Sequence, residues 1–130
     1  MAALSSSPLP SNMVRWSSQP WVSPYQHPVQ GYGGTVKELE ALPLVAIGCH
    51  LERLEPGVAS CPLHSHMAEE EQFFVLSGTL TVRALEPGGA PRMFHLHAGE
   101  GVIYPAGTGL AHQFLNLSQA DVQLMAMSDK

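Results

Sequence analysis

The pattern His64-Ser65-His66, four residues, Glu71, then Gly78 and a distant His112 constrains this chain more than any other feature. Histidines at i and i+2 share a face on an extended strand, because strand side chains alternate with period two. The segment Gln72-Phe73-Phe74-Val75-Leu76 reads as the next strand and begins beside Glu71, so the carboxylate can sit across from the pair. Three imidazoles and one carboxylate make an N3O donor set. Such a set suits a borderline divalent transition metal and leaves coordination positions open for a ligand.

The rest of the chain from Leu42 reads as short strands broken by turn signals. Strands are expected over Leu44–Leu54, Pro62–Met67, Glu71–Leu76, Thr79–Ala84, Met93–His97, Gly101–Pro105, Ala111–Leu117 and Asp121–Met127. Glu55-Pro56-Gly57 and the Pro- and Gly-rich stretch Glu86–Pro91 supply breaks. No amphipathic helix of useful length appears. Many short strands at regular spacing predict an all-β sandwich or barrel.

At this point the chain resembles a known family. His64-Ser65-His66-Met67-Ala68-Glu69-Glu70-Glu71 followed by Val75-Leu76-Ser77-Gly78 is similar to the first cupin motif. Gly99-Glu100-Gly101, then Tyr104-Pro105-Ala106-Gly107, His112 and Asn116, is similar to the second. The resemblance covers residues 45–127 and implies a double-sheet jelly roll, a double-stranded β-helix. There are departures. Six residues separate Gly57 from His64 where the motif has five, and Glu100 replaces an aspartate. The run from Gly107 to His112 is two residues longer than usual, with Gly109 there to absorb a tight turn.

Spacing and motif together nominate His64, His66, Glu71 and His112 as ligands of one divalent transition metal: Fe, Mn, Zn or Ni. Glu71 is also the candidate catalytic group, as a labile ligand that doubles as a base. Glu69 and Glu70 read as a solvated acidic turn. Parity puts Glu71, Phe73 and Val75 on one face, and His112, Phe114 and Asn116 on another inward face. Phe73, Val75 and Phe114 are therefore the expected substrate pocket. Leu80 and Val82 should point inward and Arg83 outward. His95 and His97 should face out around an inward Leu96. Cys61 has the opposite parity to His64 and is not counted as a ligand; Tyr104 is left unassigned.

Residues 1–40 differ from 41–130, the expected barrel domain. Met1–Asn12 reads as a Ser- and Pro-rich tail. Trp16–Gly34 carries Trp16, Trp21, Tyr25 and Tyr32 among prolines that oppose helix and central strand. Four aromatic rings have reason to leave water, so this segment reads as an extended arm packed on its own barrel or a neighbour's. With Phe74 and Leu76 on an outer face, a homodimer is expected. The net charge is −5 and no Lys/Arg run occurs, which argues against nucleic-acid or membrane partners. Two cysteines and no signal-like start point to a cytoplasmic protein. Two functions fit. One is a metal-dependent enzyme of isomerase, lyase or dioxygenase type acting on a small organic molecule. The alternative is a non-catalytic cupin that binds or senses a small-molecule ligand. A sugar phosphate is the weaker substrate, since no inward cation is expected to hold the phosphate.

Overall fold

The computed structural model describes residues 9–10, 13, 15–26, 31–38 and 46–129. Among them run nine strands: β1 (Val22–Gln26), β2 (Gly33–Glu38), β3 (Ile47–Leu54), β4 (Glu71–Ser77), β5 (Thr79–Leu85), β6 (Arg92–His97), β7 (Gly101–Tyr104), β8 (Ala111–Leu115) and β9 (Val122–Asp129). One 3-10 turn, Trp16–Ser18, precedes them. No helix of the described residues is long and apolar enough to cross a membrane.

All pairings are antiparallel. One sheet has the order β1-β2-β3-β9-β4-β7 and the other β6-β5-β8. The two sheets face each other as a jelly roll, the all-β architecture expected. Alternation explains the packing. On β9, Val122, Leu124 and Ala126 are buried; on β5, Leu80 and Val82; on β4, Phe73 and Val75. Each such aliphatic or aromatic burial stabilises by roughly 1.5–3 kcal/mol before entropy losses. Arg83 alternates with Val82 and so faces outward, as expected. Thr81 does too, yet is 2% exposed, with its hydroxyl 3.1 Å from His95 Nδ1 on the neighbouring strand. At Gly101 a Cβ would stand 2.5 Å from the Phe74 ring and 2.6 Å from the Phe73 carbonyl oxygen. Only glycine lets β7 close against β4 there.

The expected strand Pro62–Met67 does not form. Residues 57–64 instead lie along β8, as an irregular border of the three-stranded sheet. Ser60 N donates to Phe114 O at 3.0 Å, and His64 and His112 exchange backbone hydrogen bonds of 3.1 and 2.8 Å. Ala59 bridges Leu115 and His64 bridges His112, so five steps of this segment span three steps of β8. The two surplus residues bulge at Cys61-Pro62-Leu63, where Pro62 has no N–H to give the ladder.

The proline-rich arm supplies two strands that its composition argued against. β1 is an edge strand, and its register breaks between Val22 and Tyr25, at Ser23-Pro24. Edge and bulge are the positions where a sheet tolerates proline. The Trp21 ring lies 4.8 Å from Lys37 Nζ and 4.6 Å from the Arg53 guanidinium, so this part of the arm is fixed to its own subunit's sheet. Residues 1–8 of the expected tail, His27 and the expected strand start at Leu44 lie outside the described residues.

Candidate metal centre

The cluster forms where the irregular border, β4 and β8 meet. His64 Nδ1 lies 2.8 Å from Pro62 O. A carbonyl oxygen only accepts, so Nδ1 carries the hydrogen, and the ring turns Nε2 toward His66. His66 Nδ1 lies 3.5 Å from Glu69 Oε2, which orients that ring the same way. The two Nε2 atoms are 3.0 Å apart, and His66 Nε2 is 2.8 Å from Glu71 Oε1. His64, His66 and Glu71 each offer a ligand atom within 4.8 Å of the others. Glu71 is the carboxylate brought in. Glu70 points elsewhere: its backbone N–H donates to Asp129 and its side chain accepts from Gln72.

His112 completes the nominated set from the side. Its Nε2 is 3.5 Å from Glu71 Oε1, but it lies outside the tight group of three. Its ring is 1% exposed and stacked on Tyr104, with centroids 4.1 Å apart and planes 20° apart. Phe114 and Phe73 flank it at 5.2 and 5.7 Å. The lengthened run before His112 turns through Gly109 at φ +71°, so the extra residues are absorbed before β8 begins.

Charge is costly here. Burial pushes the Glu71 carboxyl above its ordinary 4.5, against the pull of His66. Burial, with His64 and His66 adding to it, drives His112 down to about 3, so its imidazole is neutral. Burial also raises the Tyr104 phenol well above its ordinary value, with Glu71 and Cys61 contributing. Glu71 Oε1 and His112 Nδ1 are buried without a hydrogen-bond partner. The run from His64 Nε2 to His66 Nε2 to Glu71 Oε1, with steps of 3.0 and 2.8 Å, gathers donor atoms that a proton or a metal ion can share. This donor chemistry fits a divalent metal ion, held by the His/His/Glu group with His112 beside it.

Several lumen residues escaped the sequence reading. Tyr104 pairs with Glu71 across β7 and β4 and faces inward; the Gly99-Glu100-Gly101 turn had hidden its parity. Glu52 shares the inward face of β3 with Leu54. It sits 3.7 Å from His50 Nε2 and acts electrostatically on both Glu71 and Cys61. Alternation from the inward Leu54 would have found it. Cys61 lies in the bulge, near enough to Glu71 and Tyr104 to interact with them electrostatically, and burial raises its thiol pKa. The nominated pocket residues Phe73, Val75 and Phe114 are 7%, 2% and 2% exposed and belong to the packed core. Phe73 and Phe114 pack against the His112 ring. A cavity of about 240 Å³ lies beyond Tyr104.

With this geometry in place, the comparisons fall into line. A family model for the cupin domain matches residues 50–128, more than half of the chain, and the chain belongs to that family. It is 33% identical over 94 residues to an oxalate decarboxylase of Arthroderma benhamiae, covering 70% of this chain and 21% of that protein. A candidate sugar phosphate isomerase from Acidithiobacillus ferrooxidans superposes with a TM-score of 0.68 at 29% identity, covering 77% of this chain and 61% of that one. A sugar phosphate isomerase of the cupin superfamily from Silicibacter pomeroyi superposes with a TM-score of 0.72 over 91% of this chain and 75% of its own. At 24% identity it speaks to fold alone. The chain thus spans about a fifth of the length of the curated relative it matches.

Proposed function

We propose that this cupin is a metal-dependent enzyme acting on a small organic molecule through a carboxylate, carbonyl or enolate oxygen. One observation carries the reading: the His64, His66 and Glu71 donor atoms meet at one point, with both histidine Nδ1 atoms tied back to acceptors. His64, His66, Glu71 and His112 would hold the ion. A divalent metal there supplies Lewis-acid stabilisation of negative charge on a bound oxygen. The protein's own groups do the rest. The Tyr104 phenol keeps its proton and serves as a donor to such an oxygen. The raised Glu71 carboxyl is suited to take up a proton at Oε1 and return it. Phe73 and Phe114 keep water from the back of His112. The likenesses to an oxalate decarboxylase and to a candidate sugar phosphate isomerase support a small, oxygen-bearing organic substrate.

Metal analysis of protein purified without a metal-binding tag tests the claim, followed by turnover assays with small carboxylates and sugar phosphates. About one equivalent of divalent metal per chain is expected. Glu71→Gln should lower turnover far more than it lowers metal content. Protein that stays metal-free after incubation with Fe, Mn, Zn and Ni salts would refute the proposal. Metal uptake and ligand binding with no turnover would leave a ligand-binding cupin.

A further inference from the structure

β6 and β7 are edge strands of opposite sheets, and the tight turn Ala98-Gly99-Glu100 joins them across the gap between the sheets. The 240 Å³ cavity occupies that gap. Its walls are apolar: Val82, Leu96, Val102 and Leu110, with Tyr104 on the side of the metal cluster. Glu86 is the one charged residue in its lining. Tyr104 belongs to both places, since the ring that lines the cavity also stacks on His112. A smaller space of about 120 Å³ adjoins it, sharing Ala84, Glu86 and Phe94 and adding Arg92. The Arg92 guanidinium sits 4.9 Å from the Phe94 ring.

Size and chemistry restrict the occupant. An apolar protein cavity of about 150 Å³ already takes up benzene, so this one accommodates a substituted ring. Apolar walls reward a ligand that has apolar area to bury, and oxalate and sugar phosphates have almost none. The mouth carries one acid and one base, Glu86 and Arg92, both exposed, so it gives no net attraction to a phosphate. Lys37 and Arg53 are engaged with Trp21 on the other side of the six-stranded sheet, and Arg83 faces outward.

We propose that this cavity holds the apolar part of the substrate, an aromatic carboxylic acid the size of a substituted benzene, with its carboxylate directed past Tyr104 toward Glu71 and His112. The placement of the carboxylate rests on the metal-centre function proposed above; the placement of the ring does not. The substrate would then differ in class from those in the names of the relatives, because an apolar chamber adjoins the cluster here, with Tyr104 between them.

The test uses full-length protein loaded with cobalt(II), and 4-fluorobenzoate as the probe, followed by fluorine NMR. Binding with cobalt-induced broadening is expected. Ala84→Leu and Val102→Phe, which fill the cavity from opposite sheets, should each weaken fluorobenzoate by at least about tenfold. Cobalt content and oxalate binding should stay as in the wild type. Two cavity-filling variants guard against one that misfolds, which circular dichroism would reveal. Fluorobenzoate binding unchanged in both folded variants, or oxalate binding weakened as much as fluorobenzoate binding, overturns the proposal. If no cobalt binds, the function proposed above fails by itself. Toluene added to metal-free protein then decides the cavity. Shifts of the Val82, Leu96 and Leu110 methyl signals support it, and unmoved signals overturn it.

Discussion

The histidine pair and His112 converge on one carboxylate, but different forces hold them there. His64 and His66 lie on a segment with no regular strand structure and are half-buried. Polar contacts aim them: a hydrogen bond to Pro62 O holds one Nδ1, and Glu69 Oε2 lies 3.5 Å from the other. His112 stands within β8, buried, with no partner for Nδ1. Aromatic packing aims it, from Tyr104 on one side and the two phenylalanines on the other. The lesson is that one site can be assembled from a part oriented by polar contacts and a part oriented by shape. The two parts should then fail differently when altered.

The largest expected effect comes from the polar side. His64→Ala combined with His66→Ala should abolish stoichiometric metal while leaving the fold intact, because both side chains are half-buried and outside the apolar core. Retention of a full equivalent by elemental analysis would show that the ion sits elsewhere. On the packed side, His112→Ala should destabilise the protein by about 2–5 kcal/mol, as truncation of a buried ring does, and also weaken metal binding. His112→Phe separates these roles. Its melting temperature should recover most of the loss while its metal affinity does not. If the phenylalanine variant is as unstable as the alanine variant, packing is not what holds His112.

Smaller effects sharpen the contrast. Glu69→Gln removes the carboxylate behind His66, and the metal affinity should fall by about tenfold, the low end of what outer partners usually contribute. No change in a metal titration would mean that the 3.5 Å contact does not orient the ring. Acid should act through His112 in metal-free protein. Its folded-state pKa lies near 3, below the ordinary 6.5, so the unfolded chain binds a proton that the folded chain refuses. Stability is therefore complete above about pH 6.5 and falls as pH drops from there toward 3. The raised Glu71 works oppositely just above pH 4.5, where the folded chain holds the extra proton. The difference between wild type and His112→Phe in thermal melts isolates the histidine contribution. A pH-independent difference would contradict it.

Alternation made most of the barrel legible in the sequence. Leu80, Val82, Phe73 and Val75 take the faces that period two assigns, and Arg83 takes the opposite one. Spacing nominated the donors His64, His66 and Glu71, and they do come together. Yet the strand geometry invoked for the pair is absent, because Pro62 breaks the ladder and a bulge replaces it. Tyr104 was unreadable because three turn residues, Ala98, Gly99 and Glu100, separate β6 from β7 and parity does not carry through them. β1 was missed because proline density lowers strand propensity, and its edge position escapes that penalty; β2, inside the sheet, has no proline but opens on two glycines, which are weak strand formers. The pocket is a separate matter. Periodicity says which side chains face inward, but packing decides where inward side chains leave room.

The position of β9 governs how such a chain acquires its shape. It is inserted between β3 and β4, so the middle of the six-stranded sheet is made from residues 122–129. Strands synthesised some seventy and some fifty residues earlier have no partner in common until it docks. A pairing this remote in sequence must be found by a chain that has already given up the entropy of closing a long loop. Folding should therefore be late and all at once. The amides of β3 and β4 should gain protection from exchange together with those of β9, and no half-built sheet should persist beforehand to expose its edges.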